Sequence, residues 1–296
     1  MNGHLLGQYV VQGVMSGVLY ALMALGITFI YSIMKMINWA MGQFYTIGSF
    51  VQFLLIVRVF GVGYWWLAIP VSAAVVFVIG WLLEPLLIKP MFEKEIGRKD
   101  EYATVVTIAL FLLLTGLATV LGGPHQRNPG TSVPDMTIGP LPVSGATFAA
   151  FAGALVAIAV FYLVIKRTWV GLALRSASQS RFALQTAGVD VLRLDAVAFG
   201  LGVALSAIAG ALLAPVYLVY PTNGTIVTTK GFEIIIIGGL GSIPGTLVAG
   251  VLLGLVEALG SALISSNYQN VYGFVLLIVV LLLRPQGLFG ERARIA

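Results

Sequence analysis

The chain has 296 residues, of which 59% are hydrophobic and only 9% charged, and its mean hydropathy is +1.01. Soluble domains carry roughly 25% charged residues, so the composition excludes an ordinary soluble protein and points to a polytopic membrane protein with no polar block long enough to fold by itself. The net charge of +5 does not indicate nucleic acid, because the basic residues sit in short loops between apolar spans, and the absence of cysteine removes disulfides, thiol nucleophiles and thiolate metal sites.

The N-terminal MNGHLLGQYV has no basic n-region and runs straight into a span, so the first helix is expected to be retained. That span, Tyr9 to Ile30, has the roughly 20 residues a bilayer core requires, and Gly13 and Gly17 in GxxxG spacing allow another helix to approach closely. Ala40 to Phe60 is weaker, interrupted by Gln43, Gln52 and Arg58, and is expected to face protein. Tyr64 to Leu83 carries Trp65, Trp66 and Trp81 near its ends, where an interfacial aromatic belt places them. A polar loop, Glu84 to Tyr102, separates it from Ala103 to Leu121. A proline- and glycine-rich loop, expected not to be helical, leads to Ala146 to Ile165. The most basic loop, Lys166 to Arg193, precedes a span from about Asp195 to Ala214, and Thr246 to Ile264 and Tyr268 to Leu283 complete the set.

The stretch Gly231 to Gly260, GFEIIIIGGLGSIPGTLVAGVLLGLVEALG, breaks the rule that spans are uninterrupted. Ile234 to Ile237 run into Gly238, Gly239, Gly241, Pro244 and Gly245, which a straight helix does not tolerate. Backbone released from helical bonding cannot face lipid, so this turn must lie in protein, against a polar cavity or at a membrane surface. Broken helices often mark transport sites, and Gly239 and Gly241 are therefore candidate pathway residues alongside the plainer reading of a tight interfacial turn. Asn38 to Gly48 is a second glycine-interrupted junction, a faint hint of two related halves.

Charge fixes an expected orientation. If Lys35, the 84–102 loop, the 166–193 loop and the tail lie inside, they hold 13 of the 16 Lys and Arg residues, leaving Arg58, Arg127 and Lys230 outside. This requires the short segment ending in the isoleucine run to cross most of the membrane before Gly238. The fold class is therefore all-α: a polytopic transmembrane bundle of eight full helices and one short broken crossing. The N-terminus is outside and the C-terminus inside.

Little in the chain suggests catalysis. His4 and His125 are far apart, no HExxH spacing occurs, and no GxxxxGK[ST] is present, so any ATP must be hydrolysed by a partner. Glu257 is the deepest charged residue in a span, which makes it a functional candidate by default; read as a lone carboxylate without a basic partner, it serves equally as a tie between two helices. Glu233 is placed near the outer interface. The stretch MKMINWAMGQFYTIGSF gathers Asn38, Gln43 and Tyr45, amide and hydroxyl groups suited to a polar solute's pathway or to a polar helix junction. In the 166–193 loop, Ser176 is read as the cap of a short helix over Ala177 to Ala187, with Gly188 at the left-handed position past its end. Arg175, Arg181 and Phe182 give it a basic, aromatic surface that fits anionic lipid or a cytoplasmic partner.

Four segments, INWAMGQFYTIGSF, GLALRSASQSRFALQTAGVDVLRL, GGLGSIPGTLVAGVLLGLVEAL and LLIVVLLLRPQGLFG, together resemble the LivH-type permeases of bacterial branched-chain amino acid ABC transporters over nearly the whole chain. The resemblance implies one permease domain over residues 1–296 in the bacterial inner membrane, with its N-terminus periplasmic. It implies a second, LivM-type permease or a second copy as partner, a periplasmic substrate-binding protein, and two cytoplasmic ABC ATPase subunits that use the ATP, with no cofactor on this chain. Arg175, Ser176, Arg181, Phe182 and Gly188 would then belong to the helix that couples to the ATPases. The chain departs from the pattern at Met41 and Gln43, where many relatives carry histidine and glutamate, so urea, short amides and aromatic acids stand beside branched-chain amino acids as solutes. An ion-coupled secondary transporter built on Glu257 is the alternative of a different class.

Overall fold

The computed structural model describes residues 3–93, 97–138 and 141–290; the end of the basic tail (291–296), residues 94–96 of the 84–102 loop and the side chain of His4 lie outside them. Its helices are α1 Gly3–Met34, α2 Met41–Leu55, α3 Ala68–Leu87, α4 Pro90–Glu93, α5 Lys99–Gly122, α6 Gly145–Arg167, α7 Trp169–Gln179, α8 Arg181–Thr186, α9 Val191–Tyr217, α10 Asn223–Gly238, α11 Ile243–Leu263 and α12 Gln269–Leu283. A π-helical turn, Ile56–Phe60, extends α2, and a small hairpin of β1 (Met136–Ile138) and β2 (Leu141–Val143) lies in the proline-rich loop. Among the described residues, eight helical segments are long and apolar enough to cross a membrane, and α10, with 16 residues and a length of about 24 Å, is the shorter helix that carries the isoleucine run into Gly238.

The bundle is built around α1 and α9. In their most apolar windows 89% and 83% of residues are buried, against 22% for α3, α5 and α6 and 11% for α12, which therefore form the outer wall. The Gly13 and Gly17 pair does what its spacing predicts. It packs on a second glycine pair, Gly250 and Gly254 of α11, so closely that a methyl on Gly17 would stand 2.6 Å from the Val251 Cα and one on Gly250 2.7 Å from the Ala21 backbone. The α2 helix lies against α9 through Gly48 and Gly210 and against α10 through Gly42 and Gly224.

The break in the first half is not where glycine suggests. Gly42 and Gly48 are inside an unbroken α2. Instead Lys35 takes a left-handed conformation (φ 53), residues 36–38 are neither helix nor turn and Trp39 and Ala40 turn into α2, with Met36, Asn38 and Ala40 buried and Lys35, Ile37 and Trp39 exposed. Residues 35–40 run back along α1: the Trp39 ring packs on Phe232, centroids 4.7 Å apart, Gly231 faces Ile27, and the Met41 methyl lies against Gly26. The α2 helix thus starts about two turns inward of the end of α1.

The break in the second half is glycine-made. Gly239 and Gly241 have φ of 99 and 83, conformations costly for other residues. The tail motif RPQGLFG closes over this turn: the Leu288 and Phe289 N–H groups donate to the Ile237 and Gly238 carbonyls at 2.8 and 3.0 Å. The freed carbonyls at the end of α10 are satisfied by the chain itself.

Candidate functional site

The most highly charged point inside the bundle is Glu257, where four helices converge. Its Oε2 accepts from the Tyr20 hydroxyl of α1 at 3.0 Å and from the Gln269 amide of α12 at 3.1 Å, and its Oε1 accepts from the Lys230 ammonium of α10. Lys230 also lies 3.5 Å from Glu233 Oε2. All three charged side chains are at most 7% exposed. Gly273 of α12 makes room for the two carboxylates, since a methyl there would be 2.8 Å from Glu233 and 3.2 Å from Glu257. One ammonium is thus shared by two buried carboxylates.

This corrects three expectations. Lys230 is not in an outer loop, because the polar run NGTIVTTK is the first half of α10 and turns the lysine inward. Glu257 is not a lone carboxylate, because Lys230 is its partner. Glu233 is buried rather than at a hydrated interface.

Lys230 forms part of the wall of a cavity of about 240 Å³ at the α9–α10 turn, lined also by Tyr20, Tyr45, Tyr217, Tyr220, Asn223 and Gln269, with Met23 and Val227 as its apolar side. Its floor is pinned where the Thr46 hydroxyl donates to Asn223 Oδ1 at 2.9 Å and the Asn223 amide donates to the Leu218 carbonyl at 3.2 Å. A smaller space of about 150 Å³ lies on the other side of Lys230, against Glu233. Beside it α10 exposes Thr222, Thr225, Ile226 and Thr229, a hydroxyl-bearing face unlike the Val and Leu faces of α5 and α6.

Of the residues expected to line a pathway, the structure brings Tyr45 to the cavity wall and sets Glu257 behind it through Tyr20 and Lys230. Asn38 is used locally: its Oδ1 accepts from the Ala40 N–H at 2.9 Å, fixing the turn into α2. Gln43 is fully buried, and its amide has no hydrogen-bond partner among the described residues. Gly239 and Gly241 lie past the opposite end of α10, Gly239 against Phe289 and Gly290 of the tail and Gly241 against Tyr31 and Ser32 of α1. Sequence reasoning missed Tyr20, Tyr217, Tyr220, Asn223, Lys230 and Gln269; the readable signal was the i, i+3 spacing of Lys230 and Glu233 within an apolar segment.

The 166–193 loop forms two helices rather than one. Ser180 is extended (φ −155) and caps α8 by accepting from the Ala183 N–H at 3.2 Å, while Thr168 caps α7. Ser176 lies within α7, its hydroxyl donating to the Leu172 carbonyl at 3.0 Å. Gly188 is left-handed as expected (φ 81). Phe182 is 75% exposed and Arg175 is exposed, but Arg181 turns inward. Its guanidinium grips the buried Asp195 at 2.9 and 3.1 Å, donates to the Ile33 carbonyl at 3.3 Å and stacks on Phe92 at 4.2 Å. One side chain thereby joins α8 to the end of α1, the start of α9 and α4.

Residues 9–283 match the family described as branched-chain amino acid transport system / permease component. The chain belongs to that family. It is 31% identical to the high-affinity branched-chain amino acid transport system permease protein LivH of Escherichia coli K12 and 29% identical to BraD of Pseudomonas aeruginosa, each alignment covering 96% of this chain and 95% of the relative. A solved structure titled PsaBC from Streptococcus pneumoniae in complex with Fab aligns over 96% of this chain and 93% of its own at 12% identity, with a TM-score of 0.46, a likeness that carries no argument. The permease is a multi-pass membrane component of a transport system and not an enzyme.

Proposed function

We propose that this permease is a single domain of an ATP-driven importer in the bacterial inner membrane, its N-terminus periplasmic and its C-terminus cytoplasmic. It would work with a second permease, LivM-type or another copy, take branched-chain amino acids from a periplasmic binding protein, and be driven by two cytoplasmic ABC ATPase subunits that bind and hydrolyse the ATP. The names of its relatives support this, as does the gathering of 13 of its 16 basic residues at Lys35, in the 84–102 and 166–193 loops and in the tail, which alternation of spans puts on one side. Membrane lipid covers the apolar outer wall.

The observation that carries the reading is the construction of α8: its outer face, with Phe182, is free, while its inner face is clamped by Arg181 to the ends of the two central helices. A load applied to Phe182 from the cytosol reaches α1 and α9 through one rigid joint, as a permease without its own ATP site needs. With the ATPases, partner permease and binding protein reconstituted in vesicles, Phe182→Asp is expected to leave ATP hydrolysis running while leucine uptake falls at least about tenfold. Undiminished uptake in that variant opposes the reading. Wild-type uptake that persists without ATP and collapses with the proton gradient favours an ion-coupled carrier, for which the Lys230, Glu233 and Glu257 cluster would be the ion site.

A further inference from the structure

The geometry points to the cavity beside Lys230 as a solute site for a small α-amino zwitterion, in which the solute carboxylate takes the Lys230 ammonium over from Glu257 while the tyrosines of the wall receive the solute ammonium. This deepens the importer reading and rests on it.

Charge selects the ligand class. The cluster holds one cation between two carboxylates, and buried charge is tolerated only when paired. A solute that is only an anion adds a third negative charge, and a neutral amide cannot compete with a carboxylate for an ammonium. A zwitterion brings its own compensating charge, so it can enter the Lys230–Glu257 pair without changing the net charge of the bundle. When Lys230 moves to the solute, Glu257 still accepts from Tyr20 and Gln269. The pair can therefore open without orphaning the carboxylate, a property that a purely structural tie does not require.

Shape agrees. Drug-sized ligands occupy roughly 300–1,000 Å³, and a cavity of about 240 Å³ suits a smaller solute. Tyr20, Tyr45, Tyr217 and Tyr220 offer hydroxyls and ring faces to an ammonium, and Met23 and Val227 offer an apolar wall to an aliphatic side chain. The exposed threonines of α10 continue the polar surface beyond the cavity.

The test uses the full assembly in vesicles and four probes: L-leucine, 4-methylpentanoate (no ammonium), leucinamide (no carboxylate) and urea. Wild type is expected to take up leucine and to discriminate against the other three by at least about tenfold. Lys230→Gln alone leaves two enclosed carboxylates without a cation between them, so the informative variant is Lys230→Gln with Glu257→Gln, which removes one of them and keeps α10 and α11 tied by neutral amides. It is expected to assemble with its partners, as read by co-purification of the complex, but to lose leucine uptake at least about tenfold. Wild-type leucine uptake in that double variant overturns the proposal and leaves the importer reading intact. ATP-driven uptake of urea or leucinamide in preference to leucine overturns it too, whereas failure of ATP to drive any uptake in wild type removes the importer reading beneath it.

Discussion

Among the described residues, the Arg181–Asp195 and Lys230–Glu257 ion pairs both use a buried carboxylate, and they are built differently. Arg181–Asp195 is a fixed fork: two hydrogen bonds to one carboxylate, a third to a backbone carbonyl and an aromatic face beneath, with the arginine still 29% exposed. Lys230–Glu257 joins a point charge to a carboxylate that has other donors, and the ammonium has a second carboxylate within 3.5 Å. The guanidinium fork fixes orientation, as the proposed transmission of force needs; the shared ammonium has alternatives, as the proposed solute exchange needs. In that reading one pair is a joint and the other a latch.

The comparison is broken most severely by Lys230→Ala. Removing one partner of an enclosed pair is expected to destabilise by about 3–5 kcal/mol, seen as a large drop in the detergent unfolding temperature; a shift no larger than a surface variant's would mean that water reaches the cluster. Arg181→Ala comes next, at roughly 1.5–3 kcal/mol for the charged hydrogen bonds lost, because the half-open arginine site lets water reach Asp195. Arg181→Lys sharpens the contrast: charge is kept but the fork and the stacking are lost, so roughly 1 kcal/mol of stability is expected to go, with coupling reduced more than stability. Smallest is Phe182→Ala, expected to leave stability within about 0.5 kcal/mol, because Phe182 is already exposed; a larger change in the isolated permease would mean that it packs against the bundle.

Much of this architecture was legible because it rests on local composition. Span lengths, the short helix before Gly238 and the Gly13–Gly17 seam follow from hydropathy and spacing, and so does the left-handed Gly188. The site was less legible, because it depends on pairings distant in sequence. Lys230 and Glu257 are 27 residues apart and Tyr20 and Glu257 are 237 apart, and no periodicity reports such contacts. NGTIVTTK reads as loop because threonine and lysine are polar, yet it is helical, since the lysine finds a carboxylate within the bundle. The first-half break falls between the expected spans, Tyr9 to Ile30 and Ala40 to Phe60, but the glycine hint over Asn38 to Gly48 misleads: Gly42 and Gly48 serve close helix packing, while glycine-free residues 35–40 make the break. The inward turn of Arg181 was equally hidden, because a basic residue in a polar loop reads as surface until Asp195 and Phe92 are placed around it.

The most direct test of the joint is the number of solute molecules imported per ATP hydrolysed by Arg181→Ala in vesicles containing the complete assembly. A rigid link from α8 to α1 and α9 predicts that hydrolysis continues and that this ratio falls at least about tenfold. A ratio equal to that of the wild type would show that force reaches the bundle by another route.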